Sequence, residues 1–213
     1  VMYGQDVRMG ESAGPVRDDF RARLRDAFPT VAFAAASPAI DLVPPADFPS
    51  VGLVHESNNR PWPSLNFERE TLAIPVRIYN GFPSRDIERL APASRAAAGC
   101  IYTRHHDGHV RQRALELVLS HGASWSAPFM VALLGEYVVE ICADIERFLR
   151  DGLDDFPETA RGLGKFVDSN PNFMALTRAR AVSYWAEYYR LDFLRMETYP
   201  ALRALDVIEG ALR

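Results

Sequence analysis

Hydrophobic residues from Ser84 onward recur every three or four positions, which is the spacing of amphipathic helices. The pattern is interrupted at points such as His121–Gly122, where glycine can adopt the left-handed backbone that ends a helix. One long helix, over 124–149, is expected to carry Glu136 and Glu140 on its solvated face. The helices that this pattern predicts cover 84–90, 92–105, 107–120, 124–149, 157–166, 170–193 and 201–212.

The stretch YTRHHDGHVRQRALE, residues 102–116, places three of the chain's five histidines at a joint between two of these helices. Asp107 is a favourable N-cap residue, because its carboxylate can accept hydrogen bonds from the free amides of the following turn. His105 and His106 are therefore expected to end one helix, where a cationic side chain favours the helix dipole. His109 begins the next helix.

Proline density separates the first part of the chain from the rest. Ten of the 15 prolines lie at or before Pro83, and prolines at this density prevent long helices. Most of residues 1–83 is therefore expected to be irregular. The exceptions are a helix over Val16–Phe28, from its helical spacing of hydrophobic residues, and a strand over Glu70–Tyr79, from their alternation. Residues 57–67 are expected to form an extended arm that inserts aromatic side chains into the core.

The residues after the joint follow the pattern D-x-x-V-R-x-x-A-x-x-L. This pattern resembles the turn and second helix of a HEAT repeat, over roughly Pro92 to Leu119. The resemblance implies two packed helices in which the aspartate and the arginine bond across neighbouring turns. No second copy is evident in the sequence, and stable solenoids need about three stacked repeats, so we expect a single hairpin inside a bundle. The residues that carry the match are Asp107, Val110, Arg111, Ala114 and Leu117.

Together these patterns predict a mainly α protein. We expect a helical bundle with a HEAT-like hairpin, preceded by a proline-rich, mostly irregular arm with at most one or two short strands. The arm is placed at residues 1–83 and packs on an all-α domain at 84–213, so that the two form one structural unit. Hydrophobic residues make up 48% of the chain, which is enough to build a sizeable core.

Charge and cysteine content narrow the classes of function. The net charge is −4 and the pI is about 5.8, so no overall field attracts the chain to nucleic acid or to anionic membranes. Cys100 and Cys142 stand among apolar residues and are expected to be reduced and buried. Residues 1–14 lack the apolar core of a secretory signal, and no apolar run approaches the ~20 residues of a membrane span. With its abundant arginine and alanine, the sequence is typical of a bacterial cytoplasmic protein.

A catalytic interpretation of the histidine stretch is also open. The doublet His106–Asp107 resembles the central doublet of HD-type phosphohydrolases, which are all-helical proteins that bind divalent metal and hydrolyse phosphoesters. The resemblance implies a metal ion that lowers the pKa of a bound water and so generates a nucleophile. The upstream histidine of this family would be His55, and the distal aspartate would be Asp144. The candidate metal ligands within the stretch are His105, His106, Asp107 and His109.

The same stretch is locally basic, which permits a third interpretation. Positive side chains beside a helix N-terminus can bind an anion, and the ligand would be phosphate or nucleic acid. The overall acidity of the chain argues against nucleic acid, and no nucleic-acid-binding motif is present. The candidate anion-binding residues are Arg104, His105, His106, His109, Arg111 and Arg113.

The aromatic stretch AVSYWAEYYRLDFL, residues 181–194, supports the leading interpretation. Trp185, Tyr188 and Tyr189 share much of one helical face, and packing in the core is the first role expected of them. Tyrosine and tryptophan are enriched at protein interfaces because they combine a large apolar body with a polar tip. We therefore expect a non-catalytic protein-interaction or assembly module without a cofactor, which binds another protein or forms a homo-oligomer. The metal-dependent hydrolase and the anion-binding protein are the alternatives.

Overall fold

The computed structural model describes residues 14–44 and 62–210, with side chains from Phe20 onward. These residues are mainly helical and contain one two-stranded sheet, which confirms the predicted fold class. No helix in this part of the chain is long and apolar enough to cross a membrane. The α-helices are α1 (Gly14–Arg25), α2 (Phe33–Asp41), α3 (Ser84–Ile87), α4 (Pro92–Tyr102), α5 (Gly108–Leu119), α6 (Ala127–Leu134), α7 (Val139–Asp151), α8 (Pro157–Ser169), α9 (Pro171–Tyr184) and α10 (Pro200–Gly210).

Short helical turns connect several of these helices. A π-helix over Trp185–Tyr189 extends α9, so the helix predicted over 170–193 keeps its α-helical form only to Tyr184. The Trp185 Nε1 donates a hydrogen bond to the carbonyl oxygen of Phe193 (2.8 Å), which holds the following loop against the π-helix. The 3-10 turns cover Thr30–Ala32, Ser124–Ser126, Leu153–Asp155 and Met196–Thr198.

The sheet is a single antiparallel hairpin of β1 (Ser64–Phe67) and β2 (Glu70–Ala73). Its two turn residues, Glu68 and Arg69, have φ values of 48° and 73°. A two-residue hairpin turn of this kind needs positive φ at both positions, because its twist must match that of the strands. β1 lies within the arm predicted to be extended over 57–67, and β2 forms the first part of the strand predicted over Glu70–Tyr79.

The strand predicted over Glu70–Tyr79 ends early, after Ala73. Pro75 has no N–H group to donate to a strand ladder, so pairing cannot continue through it. The chain beyond Pro75 instead runs alongside the joint between α4 and α5. There Ile78 forms an isolated parallel bridge with His105.

Residues 33–41 form α2, although this proline-rich region was expected to be irregular. Pro38 lies inside the helix. Ala36, Ala39 and Ile40 are buried, and α2 packs against α4. The expectation was wrong here because tertiary burial of a helix face outweighs the local penalty of one proline.

A helical hairpin is present where the HEAT-like hairpin was expected, with α4 packed along α5. The two helices approach closely at Gly99, where a Cβ would lie 2.7 Å from the carbonyl oxygen of Ala114. Asp107 caps α5 as predicted, because its Oδ1 accepts a hydrogen bond from the backbone N–H of His109 (2.8 Å). After α5, Gly122 has a φ of 70°, the left-handed conformation that was expected there.

The prediction of a single helix over 124–149 is wrong. A 3-10 turn precedes α6, α6 ends at Leu134, and α7 begins only at Val139. Glu136 was expected on a solvated helix face, but it lies in the connection between α6 and α7 and is 6% exposed. Its side chain turns inward to arginines from other segments, so it does not stay on the surface of a continuous helix.

The buried side chains of both parts of the chain belong to one hydrophobic core. This core extends from Leu24 in α1 to Ile208 in α10. Asn170 fixes the β-hairpin to the helices, because its side chain bonds the backbone N–H and carbonyl of Asn66 at 2.8 and 2.7 Å. The described part of the arm therefore packs directly on the helical body.

Candidate functional site

The buried carboxylate of Glu136 lies among three arginines beside the joint between α4 and α5. Its Oε1 is 2.8 Å from Nη1 of Arg104, and its Oε2 is 3.0 Å from Nε of Arg111. Its Oε2 is also 3.0 Å from Nη1 of Arg77. The three arginines come from the segment after β2, from the end of α4 and from the first turn of α5. We refer to these four residues as the arginine cluster.

Arg104 joins the segment after β2 to the cluster. Its Nε and Nη2 donate hydrogen bonds to the carbonyl oxygens of Pro75 and Val76, both at 2.9 Å. Burial lowers the pKa of Arg104, while the nearby Glu136 carboxylate raises it. A guanidinium group starts from so high a pKa that it stays charged in this setting. Arg104 is therefore a buried cation that positions the extended chain.

Arg111 positions the backbone of the joint between α4 and α5 in the same way. Its Nη1 donates to the carbonyl oxygens of His105 (2.8 Å) and His106 (2.9 Å). The side chain is only 1% exposed. The ring of Tyr137 covers it, with the ring centroid 5.9 Å from the guanidinium carbon. Arg111 thus binds the chain between α4 and α5 to the residue that follows Glu136.

Arg77 is the member of the arginine cluster that reaches solvent. Its side chain is 25% exposed, whereas those of Arg104 and Glu136 are 8% and 7% exposed. The Arg77 Nη1 donates to both oxygens of Glu136, at 3.2 and 3.0 Å, and to the carbonyl oxygen of His105 at 3.3 Å. The cluster therefore has a buried interior and one cationic side chain at its edge.

Hydrogen-bond donors outnumber acceptors in the arginine cluster. Only Arg77 makes aligned hydrogen bonds to the Glu136 carboxylate. The Nη1 of Arg104 and the Nε of Arg111 lie within ion-pair distance of it, but they have no aligned hydrogen bond among the described residues. The Nη2 of Arg111 has no hydrogen-bond partner among them. Two buried arginine nitrogens and the Arg77 Nη1 therefore share one carboxylate, and a third buried nitrogen has no acceptor among the described residues.

His105 has both ring nitrogens engaged by the backbone. The N–H of Asp107 donates to Nδ1 at 3.1 Å, so Nδ1 is an acceptor and the ring proton is on Nε2. Nε2 in turn lies 3.1 Å from the carbonyl oxygen of Asn80, to which it donates. Burial is the main cause that lowers the pKa of His105, and the neighbouring His106 lowers it further. The neutral imidazole is therefore a structural bridge between the joint and the segment after β2.

The other two histidines of the stretch and Asp107 face outward or cap a helix. His106 is exposed and stacks on Tyr79, with ring centroids 5.1 Å apart. The Asp107 carboxylate caps α5, and the hydrogen bond from the His109 backbone lowers the pKa of Asp107. The His109 side chain is exposed. Of the three histidines and Asp107 in the stretch, only His105 faces inward.

The ligands that the phosphohydrolase resemblance implies do not come together in the described residues. No three histidine, cysteine, aspartate or glutamate side chains of these residues converge as they would around a metal ion. Asp144, the candidate distal aspartate, accepts a hydrogen bond from Gln112 (2.8 Å). His55 lies outside the described residues. The two cysteines, Cys100 and Cys142, are buried and free.

The predicted anion-binding residues do not form one basic surface. Arg104 and Arg111 point into the arginine cluster. Arg113 is exposed on α5 and lies over the ring of Phe82, at 5.2 Å from its centroid. His109 is exposed at the start of the same helix. The structure therefore separates a buried pair from two surface residues, and it adds Arg77 and Glu136, which the sequence did not indicate.

Tyr137, which covers Arg111, is the first of three neighbouring tyrosine rings that belong to an exposed apolar surface. The ring centroid of Tyr184 lies 6.3 Å from that of Tyr137 and 6.2 Å from that of Tyr188. In the loop after the π-helix, Leu191 and Leu194 are 84% and 83% exposed. We refer to these five residues as the Tyr–Leu surface. Leu191 and Leu194 follow the exposed Tyr188 by three and six positions in the chain, and large exposed apolar residues that are grouped in this way are less common than isolated ones.

The three residues predicted for interaction are divided between this surface and the interior. Tyr188 is exposed as a contact residue would be. Trp185 packs against the core, and so does Tyr189, whose hydroxyl donates to the carbonyl oxygen of Tyr137 (2.5 Å). Trp185 and Tyr189 therefore pack on the core side of this surface. The π-helix changes which side chains face outward, and an α-helical projection of the sequence could not show this.

No protein-family model matches the chain, and no curated protein and no solved structure matches it.

Proposed function

We propose that the protein is a non-catalytic assembly module that forms a homo-oligomer, at its simplest a dimer, through the Tyr–Leu surface. The observation that carries this proposal is the exposure of Leu191 and Leu194 directly after the exposed Tyr188. Large apolar side chains grouped in this way leave water when a partner covers them, and this is the main favourable term in association. Tyrosine at the same place suits an interface core.

The charges around the Tyr–Leu surface suit a second copy of the same chain. Exposed residues of both signs alternate along the π-helix and the loop that follows it. A two-fold interface brings each patch against itself, so a patch with both signs can pair its own cations with the anions of the other copy. A single-sign rim would instead repel a second copy. The charged residues are Glu187, Arg190, Asp192, Arg195 and Glu197.

The test is the molar mass of the purified protein in solution over a wide concentration range, by light scattering after size exclusion and by sedimentation. We expect the wild type to form a dimer or a higher symmetric oligomer. A Leu191→Glu/Leu194→Glu variant should be monomeric, because association would bury two carboxylates without partners. Val31→Glu is the matched control, because Val31 is also an exposed apolar residue (69%) but lies outside this surface.

Two results would refute the proposal. One is a wild type that stays monomeric at every concentration tested. The other is an oligomer that the double leucine variant leaves intact, since association would then use another surface. Circular dichroism of each variant shows that it is folded, which is expected because exposed side chains in a loop contribute little to stability.

A further inference from the structure

The arginine cluster carries more positive charge than its surroundings neutralise. Arg77, Arg104 and Arg111 contribute three positive charges, and Glu136 is the acidic side chain paired with them. His105 adds no further positive charge near neutral pH, because burial lowers its pKa. Isolated buried charges are strongly unfavourable unless a partner of opposite charge is present. The net charge of the cluster is therefore about +2, and a ligand with about two negative charges would neutralise it.

The buried donors of the cluster that lack an aligned acceptor point to the same kind of ligand. The Arg111 Nη2 is buried and has no acceptor among the described residues, and the Arg104 Nη1 and Arg111 Nε lack aligned ones. A carboxylate offers about four lone-pair sites on two oxygens, and the two oxygens of Glu136 already face all three arginines. An oxyanion with three or four oxygens could accept from several of these donors at once.

The position of the cluster allows access from one side. Arg77 is partly exposed at its edge, and Tyr137, which covers Arg111, is about half exposed. Asp107 already caps the first turn of α5, so the guanidinium groups, and not the helix amides, are the donors that remain for a ligand. An anion that enters beside Arg77 would meet the side chains of Arg104 and Arg111.

We propose that Arg77, Arg104 and Arg111 form a binding site for a small phosphate-type oxyanion. A phosphate group carries a charge of about −1.5 to −2 near neutral pH, which matches the unneutralised charge of the site. Glu136 holds the three guanidinium groups together when no ligand is bound, and Arg77 is the residue that first contacts the ligand. This site is separate from the proposed self-association and does not depend on it.

The experiment is isothermal titration calorimetry of the full chain with inorganic phosphate, at constant ionic strength maintained with chloride. The variant is Arg77→Gln, which removes the accessible cation and leaves the buried pair. Its matched control is Arg113→Gln, an exposed arginine outside the cluster. We expect saturable binding to the wild type and to Arg113→Gln, and binding roughly tenfold or more weaker to Arg77→Gln, because one charge-assisted contact is lost.

A second titration with glycerol phosphate separates two sources of the ligand. Equal affinity for both probes indicates a site for free phosphate, and tighter binding of the ester indicates a phosphorylated small molecule; both results support the proposal. Absence of saturable binding of either probe to the wild type overturns it. Equal affinity of the wild type and a folded Arg77→Gln variant also overturns it. Leu191→Glu/Leu194→Glu should bind phosphate like the wild type, which distinguishes this site from the association surface.

Discussion

The Glu136 carboxylate lies 3.0 Å from the Nε of Arg111, and both side chains are almost completely buried, although 25 positions separate them in the chain. Two more arginines converge on the same carboxylate. One acidic side chain therefore joins the segment after β2, the end of α4, the start of α5 and the connection between α6 and α7.

Glu136→Gln should strongly destabilise the fold. The substitution keeps the size of the side chain but leaves buried guanidinium groups without their counter-charge, which typically costs about 3–5 kcal/mol. Urea denaturation near neutral pH measures the free energy of unfolding. Glu140→Gln is the control: Glu140 is exposed in the first turn of α7, and its loss should change stability by about 0.5 kcal/mol or less. Equal effects of the two substitutions would contradict the structural role of Glu136.

The stability of the protein should fall in weak acid because of His105. Burial lowers the pKa of His105 in the folded protein, so the unfolded chain binds this proton more readily. The contribution is therefore complete above the unfolded pKa of about 6.5 and declines as the pH falls below that value. Urea denaturation at a series of pH values between neutrality and moderate acid measures this decline.

A His105→Gln variant isolates the contribution of the imidazole. Its side-chain amide can still donate to the carbonyl oxygen of Asn80, which accepts from Nε2 of His105 in the wild type. The variant should be less stable than the wild type at neutral pH, and its stability should depend less on pH across this window. His121→Gln serves as the comparison. An unchanged pH dependence in His105→Gln would show that other groups cause the decline.

Asp107→Ala should lower the free energy of unfolding by about 1 kcal/mol, the usual effect of removing a helix N-cap. Asp107→Asn should have a much smaller effect, because its amide oxygen can still accept the hydrogen bond from His109. Both measurements are made with chelator and with added zinc or manganese. A metal-ligand role for Asp107 would instead make the difference between wild type and variant depend on the metal ion.

Gly162→Ala should destabilise the protein by about 1–3 kcal/mol or more, as expected for overpacking against rigid backbone. A Cβ at this position in α8 would lie 2.3 Å from the carbonyl oxygen of Ser124. Gly210→Ala, at the end of α10, is the control, because nothing lies within 4 Å of a Cβ there. Thermal unfolding distinguishes the two variants. A tolerated alanine at Gly162 would mean that α8 packs against the turn before α6 less closely than described.

The two thiols should react with a thiol reagent only when the protein unfolds. Burial is the main cause that raises the pKa of Cys100, and it raises the pKa of Cys142 to about 12. Both thiols are therefore protonated and inaccessible near neutral pH, and the thiolate is the reactive form. The rate of reaction with an aromatic disulfide, with and without denaturant, tests this. Rapid reaction of the native protein would contradict the burial of one or both thiols.

The sequence predicted the elements whose signals are local. The periodic spacing of α4 and α5, the Asp107 cap and the left-handed Gly122 all depend on residues within a few positions of one another, and all three are present. The mainly helical fold followed from the same periodicity. A cap or a strongly periodic helix can be identified from neighbouring residues alone, whereas α2, which tertiary burial stabilises, was not predicted.

The candidate site depends on contacts that no local pattern contains. Glu136 has the spacing of a solvated helical residue. It is buried because it pairs with Arg77, which lies 59 positions earlier in the chain, and with the two buried arginines. The exposure of Leu191 and Leu194 likewise depends on the π-helix that precedes them. The spacing of hydrophobic residues cannot distinguish a leucine in the core from a leucine on a loop.

The three-to-one composition of the arginine cluster also restricts the order in which the chain can fold during synthesis. Arg77, Arg104 and Arg111 all leave the ribosome before Glu136 does. Until then, closing the joint between α4 and α5 would bury cations without their counter-charge, which opposes early docking. The segments that carry the three arginines are therefore expected to stay open during synthesis until Glu136 emerges and allows them to close together.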